Sequence, residues 1–310
     1  MNGVLIIDKP AGLTSHDVVN RARRILQQRS IGHLGTLDPM ATGVLPLVTG
    51  TLTRLAQFYT TSEKTYEGTV RFGFATDTYD GEGEATTAPQ AVSLRAEEVE
   101  ALAARFRGVI EQTPPPFSAK KIKGVPAYKL ARQQKEVVLK PVQVEIKEFV
   151  ILGVEIDRAR FRARVASGTY MRSVAHEMGR ELACGAHLES LRRTSVAEFN
   201  LADAHTLEQV ADAAAAARPE ATKNASPLLE SLFIHPRKLL PQLPSVTADE
   251  ASAARIRSGR TVNLPELSRA RQVKVFSGQR ELIAIATRVA GTLFHPKIVL
   301  CGADIAVRRL

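Results

Sequence analysis

The 310-residue sequence predicts an α+β fold: a mixed, largely antiparallel sheet flanked by helices, followed by a small C-terminal β-rich unit. Three observations predict it. Alternating, β-branched runs such as KTYEGTVRFGF (64–74), VQVEIKEFVILGVE (142–155) and RARFRARVAS (158–167) have the period of half-buried strands. Amphipathic runs at helical spacing lie between them. The proline-interrupted stretch LLPQLPSV (239–246) then separates a short strand-rich tail. At ~150 residues per domain the length suits two units, 1–240 and 245–310.

The elements follow in order. GVLIIDKP (3–10) is a short buried strand stopped by proline. Ser15 is expected to cap a helix with Val18, Val19, Ala22, Ile25 and Leu26 on one face. GHLGTLDPMATGVL (32–45) is a glycine-rich loop running into the strand GVLPLVTG, and TLTRLAQFYT (51–60) is a short helix. DTYDGEGEATT (77–87) reads as a polar loop. Ser93 to Phe106 is a helix ended by Gly108, with Leu94, Val99, Leu102 and Phe106 inward. A run of three prolines opens an irregular basic insertion at about 113–140, with a short helix after Pro126. TYMRSVAHEMGRELA (169–183) is helical after Gly168, and HLESLRRTSVAEFNL turns into a strand. TLEQVADAAAAA is a helix, and RPEATKNASP (218–227) an exposed linker. In the tail, TADEASAARIRSG is a helix, and RQVKVFS, ELIAIATRV and GTLFHPKIVL are strands.

The balance of 42 Lys+Arg against 32 Asp+Glu gives a net charge of +10, which favours a polyanionic partner, most simply nucleic acid. Cys184 and Cys301 are too far apart to form a disulfide framework, which fits a reduced, cytoplasmic setting. Cys184-Gly-Ala-His187 has half of a zinc spacing and no second half, so no metal is expected. The N-terminus lacks the pattern of a signal peptide, and no apolar run approaches the ~18 residues of a membrane span. There is no phosphate-binding loop of the G-x-x-x-x-G-K type, no dinucleotide fingerprint and no G-x-S-x-G elbow; HEMGR has Arg180 where a zincin has its second histidine. Any chemistry therefore falls to ordinary side chains, with no nucleotide or other cofactor.

The one carboxylate of GHLGTLDPMATGVL is Asp38. Asp before Pro is by itself a turn signal. The whole stretch, however, resembles the catalytic motif of the TruB family of tRNA pseudouridine synthases at Gly32, His33, Gly35, Thr36, Leu37, Asp38, Pro39, Ala41, Gly43 and Leu45. Four more stretches are similar to family motifs in the same order: GVLIIDKPAGLTS, KTYEG, SGTYMRSVAHEMG and CGAHLESLRRTSVAEF. The resemblance implies a pseudouridine synthase fold over about 2–240, and, more loosely, a PUA-like RNA-binding domain in the tail, where Arg255, Arg257 and Arg260 form a basic entrance.

The resemblance also implies the reaction. Uridine 55 in the T loop of tRNA is flipped out, its N1–C1′ bond is cleaved, and the base is rejoined through C5. Asp38 is the essential group, either by covalent addition or by removing the C2′ proton. Arg172 is its counter-charge, which a carboxylate in a water-excluding pocket needs. Tyr66 stacks on the target uracil, Tyr170 lies at the floor, and Leu191 packs on the other face of the base. An extended chain at 170–172 would put Tyr170 and Arg172 on one side. His33 meets bases displaced on flipping, and Lys9 contacts RNA or braces the motif. Seven Lys/Arg between Lys120 and Lys140, including Lys121 and Lys123, match the family's insertion that folds over the tRNA T arm. That insertion favours a stand-alone enzyme with no obligatory protein partner over a guide-RNA-dependent subunit. A non-catalytic RNA-binding module is the rival from another class.

Overall fold

The computed structural model describes residues 1–310 apart from 119, 123, 132, 134–136, 138, 218–226, 267 and 301–310. The expected linker RPEATKNASP therefore lies outside the described residues except for Pro227, as does Cys301.

In chain order the first half contains β1 (Gly3–Lys9), α1 (Ser15–Ile25), β2 (Ile31–His33), β3 (Thr42–Thr49), a 3-10 helix (Gly50–Phe58), β4 (Lys64–Phe72), α2 (Ala96–Arg105) and β5 (Gly108–Gln112). The insertion carries a two-residue-per-strand hairpin, β6 (Lys121–Ile122) and β7 (Val125–Pro126), and α3 (Ala127–Ala131). There follow β8 (Val142–Glu155), β9 (Arg158–Val165), α4 (Met171–Glu181) and β10 (Ala186–Val196). Then come β11 (Phe199–Asn200), β12 (Ala204–His205), α5 (Leu207–Ala216), α6 (Pro227–Ser231) and β13 (Phe233–Ile234). The tail contains β14 (Ser245–Ala248), α7 (Glu250–Arg257), β15 (Val262–Asn263), β16 (Gln272–Ser277), β17 (Glu281–Ala290) and β18 (Leu293–Val299).

The large sheet has the order β12-β1-β3-β10-β4-β9-β8-β5, with short strands added at β1, β3 and β10. Most neighbours are antiparallel; β1–β12 and β3–β10 are parallel, so the sheet is mixed as expected. The parallel β3–β10 pair sits at its middle and sets Thr42 and Gly43 beside Arg192 and Arg193. This one pairing brings residues 150 positions apart to the glycine-rich loop. One buried cluster covers a face of the sheet with helical residues such as Val18, Val19, Val99, Leu102, Val174 and Met178.

The tail folds as a five-stranded sheet, β14-β16-β17-β18-β15. It has its own buried cluster around Val273, Val275, Ile283 and Phe294. A second cluster joins it to the large sheet: Phe276, Leu282, Ile285 and Ile298 pack with Val4, Ile6, Val48 and Leu52. The tail is thus seated on apolar surface rather than tethered by a linker alone.

Two local expectations change. The cap of α1 is Thr14, whose hydroxyl accepts from the Asp17 backbone N–H in a capping box. Ser15 is the first helical residue and its hydroxyl is free for another task. The segment 186–196 is one continuous strand whose pairing with β4 shifts register at Leu188/Ser190 and at Arg193/Ser195, not a turn leading to a strand.

Candidate active site

The loop between β2 and β3 carries Asp38 and is tied down from three directions. Arg193 on β10 is buried. Its Nε donates to the Val44 carbonyl at 2.8 Å, Nη1 to Thr36 at 3.1 Å and Nη2 to Gly35 at 3.0 Å. Ser15 accepts from the Leu37 N–H at 2.8 Å and donates to the Leu37 carbonyl at 3.1 Å. Lys9 is buried and donates to the carbonyls of Pro10 (2.8 Å) and Pro39 (3.1 Å). Burial pushes the Lys9 ammonium down to about 8, with nearby Asp38 opposing the shift. Gly43 permits the β3–β10 approach: a Cβ there would lie 2.2 Å from the Arg193 carbonyl oxygen, and its φ is +99°. Asp38 therefore sits on a loop whose flanking carbonyls are individually held.

Arg172 meets Asp38 as a fork. Its Nε donates to Oδ2 at 2.9 Å and its Nη2 to Oδ1 at 3.0 Å. The remaining donors reach the carbonyls of Phe117 (2.9 Å) and Thr78 (3.0 Å). The Arg172 side chain is 4% exposed, while that of Asp38 is 33% exposed, so the carboxylate is the more open member of the pair. A bidentate guanidinium is the partner a half-buried carboxylate requires. Arg172 also lies 3.6 Å from the buried Asp80 carboxylate. Asp38 is the one carboxylate of its own stretch, but not the only one beside this guanidinium. DTYDGEGEATT, read as a polar loop, supplies both the Thr78 carbonyl and Asp80. Tyr79 between them has a φ of +64° and stacks on His176 of α4 with ring centroids 3.8 Å apart. Glu82 in the same loop has its carboxyl raised by burial and by Asp80 and Asp38.

The chain at 170–172 is not extended throughout, so Tyr170 and Arg172 are not placed by strand alternation. Tyr170 is extended (φ −106°, ψ 110°) and caps α4, in which Arg172 is the second residue. Both side chains still reach one pocket, because the chain turns into the helix at that point. The Gln112 side chain fixes the turn: its Oε1 accepts from the Tyr170 N–H at 2.8 Å and its Nε2 donates to the Tyr170 carbonyl at 3.1 Å.

The pocket has a volume of about 290 Å³ and is lined by Asp38, Tyr66, Tyr170, Arg172 and Leu191, among others. Tyr66 on β4 and Leu191 on β10 are both buried, and Arg193 stands directly opposite Tyr66 in the β4–β10 register. Burial raises the Tyr170 phenol, with the nearby Ser118 hydroxyl opposing the shift. His33 and Lys9 do not line the pocket. His33 ends β2 and its Nδ1 accepts from the Gly35 N–H at 3.3 Å; burial lowers its titration first, and Arg193 and His16 add to that, favouring the neutral ring. Lys120 is exposed at the surface; Lys123 and the side chain of Lys121 lie outside the described residues. In the tail, Arg255 donates to the Thr261 carbonyl and Arg257 pairs with Glu281, while Arg260 is exposed.

Sequence reasoning missed Ser15, Thr78, Asp80 and Arg193. Arg193 had the best available signal, standing on an alternating strand at a position that should face inward.

Residues 23–171 match the family model for the N-terminal domain of TruB family pseudouridylate synthase. Residues 172–236 match that for the tRNA pseudouridylate synthase B C-terminal domain. A tRNA pseudouridine synthase B from Solibacter usitatus is 48% identical over 303 residues, covering 97% of this chain and 100% of the relative. The chain belongs to the TruB family. A second TruB relative, a tRNA pseudouridine synthase B from Opitutus terrae, is 43% identical over 231 residues, covering 74% of this chain and 95% of the relative. In fold, the chain is similar to one in an H/ACA RNP bound to a substrate RNA containing 2′-deoxyuridine, with a TM-score of 0.70 at 22% identity, covering 97% of this chain and 86% of that one. The mixed sheet and flanking helices are thus the TruB arrangement of α+β structure.

Proposed function

We propose that this chain isomerises uridine to pseudouridine at position 55 in the T loop of tRNA, with Asp38 as the essential group. The observation that carries the proposal is the bidentate Asp38–Arg172 pair opening into a pocket walled by Tyr66, Tyr170 and Leu191. Membership of the TruB family supports the reaction class, and the relatives' names support tRNA as substrate. The basic balance of +10 supports a polyanionic partner.

The pocket volume lies near the lower end of the ~300–1,000 Å³ usual for ligand pockets, which suits one nucleotide. A stacked base is out of reach there, so the uridine must be extruded, at a cost of a few kcal/mol. The base enters between Tyr66 and Leu191. Breaking N1–C1′ then leaves electron demand at C1′, which the Asp38 carboxylate meets. Arg172 keeps that carboxylate oriented, and its other donors are taken by fixed carbonyls. Once the base has turned and C5 has bonded to C1′ in place of N1, the phenol of Tyr66 assists loss of the C5 proton. His33, bonded to the pocket-lining Gly35, meets what flipping displaces. The insertion with Lys120, Lys121 and Lys123 grips the T arm, and the tail acts as a PUA-like RNA-binding domain. The setting is cytoplasmic; among the described residues no helix is long and apolar enough to cross a membrane.

The test is tritium release from a tRNA transcript labelled at uridine C5, with no guide RNA or other protein added. Release with wild type supports the proposal. Release only when a guide is supplied would favour the guide-dependent reading, and none under either condition the non-catalytic one.

A further inference from the structure

The pocket contains a cation that neither the Asp38–Arg172 pair nor the loop clamp uses. Lys64 is the first residue of β4, and its side chain lines the pocket with Asp38, Tyr66 and Arg172. It lies two residues before Tyr66, so both point to the same face, about 7 Å apart along the strand. Its Nζ donates to the Ser62 carbonyl at 2.6 Å, which leaves two N–H donors. Among the described residues it has no carboxylate within ion-pair distance. Thr60, which is exposed, lines the same pocket, so the pocket opens to solvent beside this stretch of chain.

The rest of the pocket's charge is already spoken for. Arg172 is matched by Asp38 and Asp80. Arg193 spends its guanidinium on the loop carbonyls of Gly35 and Thr36 and on Val44 of β3. Lys64 approaches that same loop, since a Cβ built on Gly35 would lie 3.8 Å from its Cε and 3.6 Å from Arg193 Nη1. Two cations are thus held beside one backbone with no acid between them, an arrangement that suits an anionic ligand. Consistent with this, burial and the Arg193 guanidinium bring the Lys64 ammonium down to about 8.

We propose that Lys64 holds a phosphate flanking the uridine whose base is turned in upon Tyr66. A nucleotide whose base lies upon Tyr66 leaves its phosphates for the other donors of the pocket, and Lys64 is the pocket-lining cation with N–H groups to spare. This rests on the proposed function, and it adds a phosphate-binding residue that positions the substrate.

The test pairs a protein change with a substrate change. Lys64→Met and Lys64→Arg are compared on ordinary tRNA and on tRNA carrying one neutral methylphosphonate linkage, 5′ or 3′ of the target uridine. Circular dichroism confirms that both variants fold. Lys64→Met is expected to weaken productive binding roughly ten- to hundredfold, as befits one lost charged hydrogen bond, and to reduce the salt slope by about 0.7–0.9. Lys64→Arg should recover most of the affinity. At one of the two linkages the methylphosphonate should weaken wild type similarly and Lys64→Met no further. Losses that add at both linkages overturn the inference, as does Lys64→Met with wild-type affinity and salt slope. Tritium release by wild type on ordinary tRNA is the control: its absence would count against the proposed function itself.

Discussion

Replacing Arg172 by lysine keeps the charge and removes the fork. Arg172 makes four hydrogen bonds of 2.9–3.0 Å: two to Asp38, one to Phe117 and one to Thr78. A single compact ammonium, without the spread of the guanidinium fork, can serve one or two of these acceptors. Two or three bonds are lost, and charged bonds are worth roughly 1.5–3 kcal/mol each. The Asp38 share must be discounted, because that side chain is 33% exposed and water competes for it. A net of roughly 2–4 kcal/mol remains, and if it falls on the transition state the chemical step slows roughly 30- to 1,000-fold. Single-turnover tritium release at saturating tRNA measures that step, and filter binding shows whether tRNA affinity has moved. The expected result is a slow chemical step with nearly unchanged affinity. An Arg172→Lys enzyme within about threefold of the wild-type single-turnover rate would refute the argument that the fork orients Asp38.

Four further outcomes are expected. Ser15→Ala removes both hydrogen bonds to Leu37 and should cost roughly 1–3 kcal/mol of stability, read by denaturant unfolding, with a measurable drop in turnover. Gly43→Ala would drive a Cβ into the Arg193 carbonyl at a φ of +99°, so soluble, active protein should be largely lost; normal yield and activity would show that the β3–β10 approach is not tight. For the pH profile, the ammonium of Lys64 is charged below about 8 and neutral above it, so tRNA affinity should fall as pH rises through 8, and Lys64→Arg should remove much of that limb. Neutralising Lys120, Lys121 and Lys123 together should weaken tRNA binding and flatten its salt dependence; an unchanged slope would take the insertion out of the interface.

The fold was legible where local pattern and burial agree. β8 and β9 alternate cleanly, β1 is a continuous apolar run between polar flanks, and α5 is built from strong helix formers, so each was readable without its neighbours. The Asp38 loop was legible as well, because its signal is local and about ten residues long. What could not be read was everything that depends on register. Arg193 reaches Gly35, Thr36 and Val44 only because β10 runs parallel to β3. Asp80 and the Thr78 carbonyl meet Arg172 only because a loop with a positive-φ tyrosine folds back onto α4. Ser15 changed role for a smaller reason: Thr14 made the better capping box with Asp17, which released the serine hydroxyl to the Asp38 loop.

The most direct measurement of the central claim is a map of pseudouridine in bare tRNA transcript treated with wild-type protein or with Asp38→Asn. Wild type should produce pseudouridine at position 55 of the T loop, and Asp38→Asn should bind the same tRNA and produce none. Modification confined to other positions, or an Asp38→Asn rate above about a thousandth of wild type, would contradict the account, since loss of an essential group costs several kcal/mol of transition-state stabilisation.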